Sequence, residues 1–180
     1  MNKSLIAACF ALLIFSACSS EKKQETKDET ITDNTIENQT TENKQTTASV
    51  VSKEQLEGML TAYFDLKNAL VSTDAEQAKS ASGKLLSQLN DGMNALRESA
   101  SNIQQKSDVE DIRAEFQELS KGMYEVVKNN SSAKDETVYK QFCPMAFNNT
   151  GGYWLSSEKE IKNPYFGDKM LKCGKVQEEL

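Results

Sequence analysis

The sequence predicts an α+β chain: an antiparallel three-helix bundle carrying a small C-terminal β-hairpin with paired cysteines and methionines. Three observations predict it. Apolar residues recur at spacings of three and four from Leu56 to Val126, the signature of amphipathic helices. From Thr137 onward the pattern changes to short β-prone runs separated by Asn and Gly. Before residue 49 there is no aromatic residue after Phe15, so packing can begin only beyond that point.

The N-terminus reads as a processing signal. Lys3 supplies a positive start, and Leu5 to Phe15 is an apolar run too short to span a bilayer. Phe15-Ser16-Ala17-Cys18 then resembles a bacterial lipobox, with Phe15 where leucine is usual. Residues 1–17 are therefore expected to be a lipoprotein signal peptide, and Cys18 to be lipidated, palmitate being one of the acyl groups. The competing reading is an ordinary secretory signal with an incidental cysteine. Residues 18–48 hold the lipidated Cys and a stretch rich in Thr, Asn, Gln, Glu and Lys. Such a stretch cannot bury enough surface to offset its ordering entropy, so it predicts a disordered tether. Its mean span would be roughly 30 Å, enough to hold a domain clear of lipid headgroups.

Residues 49–180 are the expected domain. Ser52 and Gln55 form a capping-box arrangement, followed by Leu56, Leu60, Tyr63, Leu66 and Leu70 at helical spacing. Ser72-Thr73-Asp74 predicts a break and a fresh cap. A second helix is expected over about 75 to 100, burying Ala75, Ala78, Leu85, Leu89, Met93 and Leu96, with Gly92 as a weak point. Ser107 and Glu110 suggest another capping box. Val109, Ile112, Phe116, Leu119, Met123 and Val126 form the most regular stripe, predicting a third helix to about Lys128. Met59, Met93 and Met123 fall on the apolar faces and read as core packing rather than a metal channel.

The segment 137–180 carries the chemistry. Thr137–Phe142 is β-prone, Asn148-Asn149-Thr150-Gly151-Gly152 reads as a turn, and Tyr153-Trp154-Leu155 as a second strand. Asn163-Pro164 bends the chain, Asp168–Cys173 predicts one helical turn ended by Gly174, and Lys175–Leu180 an edge strand. Tyr153, Trp154, Tyr165 and Phe166 read as a small core against the helices, with an exposed docking patch as the alternative.

With residues 1–17 removed, Cys9 is lost and Cys18 is committed to lipid, leaving Cys143 and Cys173. Cys143 and Met145 are two apart around Pro144; Met170 and Cys173 are three apart before Gly174. Residues two apart on an extended segment, or three apart on a helical turn, share a face. Four soft sulfur donors without imidazole suit a monovalent copper or silver ion better than zinc, calcium or magnesium. A disulfide between Cys143 and Cys173 needs only an oxidising compartment, and closing a loop of about thirty residues would contribute roughly 3.5 kcal/mol. Both readings require the two thiols to be neighbours, so spacing leaves them open.

The pattern Tyr139-x-x-x-Cys143-Pro144-Met145-Ala146, then Trp154-Leu155-Ser156, then Ile161-x-Asn163-Pro164-Tyr165-Phe166-Gly167-x-x-Met170-Leu171-x-Cys173-Gly174 resembles an uncharacterised bacterial envelope domain. That domain occurs as stand-alone lipoproteins and fused to periplasmic adaptor (membrane-fusion) subunits of copper/silver-type RND efflux pumps. The similarity runs from about Leu56 to Val176 and includes Tyr63-Phe64-x-Leu66-Lys67-x-Ala69-Leu70. It implies heavy-metal handling in the periplasm, with Cys143, Met145, Met170 and Cys173 at the matching positions and an efflux adaptor as partner. Such domains often have histidine before Cys-Pro-Met, where this chain has Phe142.

Composition narrows the rest. The chain has no histidine, which removes His-dependent triads and the usual His-based zinc sites. A net charge of -6 argues against general nucleic-acid binding. No carboxylate pair is singled out by an apolar setting and no nucleophile has a visible base, so no enzyme is expected. The expectation is a lipid-anchored envelope protein facing the periplasm, at the outer membrane. It would bind a soft metal ion as an accessory or sensor of efflux, or act as a disulfide-stapled, non-enzymatic interaction module.

Overall fold

A computed structural model describes residues 51–180; the expected signal peptide (1–17) and lipidated tether (18–48) lie outside the described residues. Four helices come first: α1 (Lys53–Val71), α2 (Ala75–Gln88), α3 (Asn94–Gln105) and α4 (Val109–Asn129). A small antiparallel sheet follows, made of β1 (Tyr139–Cys143), β2 (Gly152–Ser156) and β3 (Lys175–Glu179) in the order β2-β1-β3. The chain is thus mixed helix and sheet, with the sheet at the C-terminus.

The caps follow largely from local chemistry. Ser52 Oγ accepts the Gln55 N–H at 3.2 Å at the start of α1, and Asp74 Oδ1 accepts the Gln77 N–H at 2.9 Å at the start of α2. These bonds satisfy N–H groups that the first helical turn leaves free. The third cap differs from the expectation. Asp108, not Ser107, caps α4, its Oδ1 accepting the Glu110 N–H at 2.7 Å, while the Glu110 carboxylate turns to Arg113 at 2.8 Å.

Four helices stand where three were expected, because the helix predicted over about 75–100 is two. The chain turns at Asn90-Asp91-Gly92, where Asn90 Oδ1 accepts the Gly92 N–H and the Asn90 carbonyl accepts the Met93 N–H. Asn and Asp favour this because their side chains satisfy nearby main-chain donors outside a helix. Arg97 Nη1 then caps the free Leu89 carbonyl at 2.7 Å. Leu85, Leu89, Met93 and Leu96 are all buried nonetheless, so the apolar stripe ran unbroken across a break in the backbone.

Consecutive helices pack on one another, and α4 also packs on β2. Met59, Met93 and Met123 are buried in the shared core, as their spacing predicted. The link between helices and sheet is aromatic. Phe116 of α4 stacks on Tyr63 of α1 with ring centroids 5.2 Å apart, and Tyr165 meets Phe116, Trp154 and Phe147 at 6.0, 5.8 and 4.9 Å. Trp154 and Tyr165 are buried and Tyr153 and Phe166 half-buried, so this set is the small core between sheet and helices.

Two polar groups fasten the layers. The Tyr63 hydroxyl accepts the Leu155 N–H of β2 at 3.1 Å and lies 2.6 Å from Ser120 Oγ of α4. The buried Arg113 guanidinium donates to the Pro164 carbonyl at 2.8 Å, the Leu70 carbonyl at 3.1 Å and Thr73 Oγ1 at 3.1 Å. That fork ties α4, the turn after α1 and the C-terminal loop together, a geometry a lysine could not reproduce. Gly167 sits in the same corner with φ +56, and a Cβ there would fall 2.6 Å from Thr73 Oγ1.

Candidate metal or disulfide site

Cys143 is the last residue of β1, facing Gly152 of β2 in the pairing register. Gly152 is required there: a Cβ would stand 2.8 Å from the Phe147 ring and 2.9 Å from the Tyr165 ring. Cys173 comes from the other side of the sheet. β3 pairs antiparallel with β1, with Phe142 opposite Lys175, so the chain just before Lys175 runs beside the end of β1. Gly174 makes that approach possible. It adopts φ +145, and a Cβ would lie 3.0 Å from the Phe142 carbonyl and 3.1 Å from the Trp154 ring.

The Cys173 main chain is pinned at both ends. Its N–H donates to the Met170 carbonyl at 2.9 Å, and its carbonyl accepts from Asn163 Nδ2 at 2.8 Å. Asn163 is fully buried; its N–H donates to the Leu171 carbonyl and its Oδ1 accepts the Tyr165 N–H. Asn163, read from sequence only as part of an Asn-Pro bend, therefore sets the position of Cys173. Gly174 carried a signal as a turn stop, Tyr63 as a buried helical position and Asn163 as a bend, but nothing in the sequence marked Arg113 or the polar contacts that Tyr63 and Asn163 make.

The result is a pair of thiols, with Cys143 Sγ and Cys173 Sγ 2.8 Å apart. Both cysteines are free rather than disulfide-bonded. Cys143 is fully buried and Cys173 half-buried. The hydrogen bond with Cys143 raises the Cys173 thiol pKa above its ordinary value, helped by desolvation and the neighbouring sulfur's charge, while the Met145 amide pulls the other way.

The two methionines flank this pair along the chain. Met145 is 46% exposed, on the loop leaving β1. Beyond it lies a short turn, Ala146–Asn149, in which Phe147, Asn148 and Asn149 all have positive φ. Met170 is half-buried at the end of the 3-10 turn Gly167–Met170. Among the described residues no group of three or more His, Cys, Asp or Glu side chains is arranged to hold a metal ion.

The described residues thus define a small helical domain that carries a dithiol on a three-stranded sheet. Residues 59–135 match a family described as a protein of unknown function (DUF3347). The match covers the helices from within α1 to the loop after α4 and ends before β1, so Cys143 and Cys173 lie outside it. No curated protein and no solved structure matches the chain. Among the described residues no helix is long and apolar enough to cross a membrane.

Proposed function

We propose that this chain is a lipid-anchored envelope protein that binds a soft monovalent metal ion, copper or silver. The thiolates of Cys143 and Cys173 bind it, Met145 and Met170 supply thioether donors, and the helices act as a bundle-like base. The observation that carries the reading is the contact between two thiols from segments thirty residues apart in sequence. Metal–thiolate bonds near 2.3 Å place two sulfurs on one ion about 3.7 Å apart in tetrahedral geometry. Opening the pair by about 1 Å would be needed, and the half-exposed Cys173 is the side chain able to give way. Thiolate and thioether donors with no imidazole favour monovalent copper or silver over harder ions.

In this reading the protein serves metal efflux as an accessory or sensor, anchored through Cys18, with the adaptor of a heavy-metal RND pump as partner. The test is titration of the reduced lipoprotein in detergent with monovalent copper under a competing chelator. Binding is expected in wild type and lost in the Cys143→Ser/Cys173→Ser double variant; equal affinity in both removes the site. Anchoring is tested by Cys18→Ser, which should abolish acyl labelling and release the protein from membranes.

The same contact supports a second reading, a disulfide-stapled interaction module, since the sulfurs need to close by less than 1 Å to reach the 2.03–2.05 Å of a disulfide. Thiol labelling of protein recovered from its own envelope without reductant separates the two. Free thiols count against the staple.

A further inference from the structure

The two cysteines differ in what can reach them. Cys143 closes β1 and is fully buried, whereas Cys173 is half-buried on the loop before β3, between exposed Lys172 and Lys175. Their sulfurs stand 2.8 Å apart, and closing them to a disulfide takes less than 1 Å. The main chain is already fixed on both sides, by the pairing of Cys143 with Gly152 and by the bonds from Cys173 to Met170 and Asn163. Dithiol and disulfide therefore share one backbone, and little reorganisation separates them. Thiol–disulfide exchange depends on which sulfur is attacked and on access to it. Here the sulfur open to a partner is that of Cys173.

We propose that the pair is a thiol–disulfide exchange site for a protein thiol–disulfide carrier, with Cys173 as the entry sulfur and Cys143 as the resolving sulfur. This goes beyond a staple, which closes once and stays closed, and it needs no metal ion. In oxidation Cys173 gives its proton to solvent and its thiolate attacks one sulfur of the carrier's disulfide. The new bond forms as the carrier's own S–S bond breaks, and the second carrier sulfur leaves as thiolate and takes a proton from water. Cys143, already at contact distance, then attacks Cys173 Sγ. The internal disulfide forms, the bond to the carrier breaks, and the Cys143 proton passes to the departing sulfur. The pair has lost two electrons and two protons, and the carrier's disulfide has become a dithiol. Reduction runs the same steps backwards, a carrier thiolate attacking Cys173 Sγ while Cys143 leaves. The hydrogen bond that raises the Cys173 thiol thins its thiolate, which slows the oxidising leg without closing it.

The probe is glutathione, oxidised and reduced, applied to the mature lipoprotein in detergent with metal chelators present. Samples are quenched with acid and their cysteines mapped by mass spectrometry. In wild type, oxidised glutathione should close the internal disulfide with no adduct on Cys143, and reduced glutathione should reopen it in the folded protein. In Cys143→Ala a glutathione adduct should form on Cys173 and persist, because no resolving sulfur remains. In Cys173→Ala the buried Cys143 should react about a hundredfold more slowly, since it is reached only by local opening. The wild-type measurement stands without either variant, should one fail to fold.

An adduct on Cys143 in wild type overturns the proposal, and so do equal rates at the two cysteines in single variants that keep the wild-type circular dichroism. A disulfide that reopens only in denaturant is a staple, and it overturns exchange. Stable adducts with no internal disulfide would mean that the sulfurs do not meet, which also overturns it. The copper titration is read separately. Loss of exchange with copper binding intact leaves the metal reading standing, and exchange without copper binding removes the metal reading alone.

Discussion

Tyr63→Phe isolates one hydroxyl and asks how much of the joint between helices and sheet depends on it. The ring of Tyr63 is fully buried and stacked on Phe116, and phenylalanine keeps that packing. What is lost is the acceptor for the Leu155 N–H at 3.1 Å and the partner of Ser120 Oγ at 2.6 Å. Ser120 can turn to a main-chain carbonyl of its own helix, as serine in helices does. Leu155, on a buried strand edge, has no such option, and a buried unsatisfied donor costs about 1–3 kcal/mol. The expected destabilisation is about 2 kcal/mol. Unfolding entropy near 2.1 cal/mol/K per residue over about 130 residues is roughly 0.27 kcal/mol/K, so Tm should fall by about 7 °C. A second readout is independent of the first. Burial, chiefly by desolvation, pushes the phenols of Tyr63 and Tyr165 well above their ordinary value of 10.0. The folded chain then keeps both protons at pH values where the unfolded chain has begun to release them. The stability this represents is complete below about pH 10 and is lost as pH rises further, at about 1.4 kcal/mol per pH unit for each phenol. Urea denaturation between pH 8 and 11 should show a shallower alkaline slope in Tyr63→Phe, with the raised Tyr165 and Tyr153 phenols among the groups that maintain the remainder. A cost below about 0.5 kcal/mol with an unchanged slope would refute the reasoning, since the hydroxyl would then not be holding the strand.

Three further outcomes follow from the same geometry. Arg113→Met keeps the aliphatic stem but removes the bonds to the Pro164 and Leu70 carbonyls. It should cost about 3 kcal/mol and raise amide exchange around residues 164–167, whereas unchanged exchange there would dissociate Arg113 from the loop. Gly167→Ala forces a Cβ to within 2.6 Å of Thr73 Oγ1 and 2.9 Å of the Val71 carbonyl at φ +56. A loss of about 2 kcal/mol or more is expected in the urea midpoint, and a neutral result would mean that the turn does not dock there. In reduced native protein a maleimide should modify Cys173 well before Cys143, which should react only on unfolding; equal rates would contradict the order of burial.

Much of the helical region could be read from the chain because helices are built from local terms. The caps at Ser52 and Asp74 and the stripe from Val109 to Val126 each involve residues within one or two turns of each other. The missed break at Asn90-Asp91-Gly92 shows the limit of periodicity. Burial alternates alike on one long helix and on two shorter ones that face the same core. The strands were legible as strands, with β1, β2 and β3 close to their expected positions. The turn between β1 and β2 was legible only as a turn, because a left-handed Phe147 is held by the aromatic core around Tyr165 rather than by its own preference.

Sequence alone named the four sulfurs, as a list of residue types with soft donors and no imidazole among them. Which of them meet was decided by strand pairing. β3 joins β1 rather than β2, and that one choice brings Cys173 alongside Cys143. The choice depends on Gly174 passing within reach of the Phe142 carbonyl, on Asn163 gripping Cys173, and on Arg113 holding Pro164 from a helix fifty-one residues away. Helix spacing and capping are properties of neighbouring residues and are written in their order. A contact between distant segments is set by the summed packing of everything between them, and no local pattern in the chain records that sum.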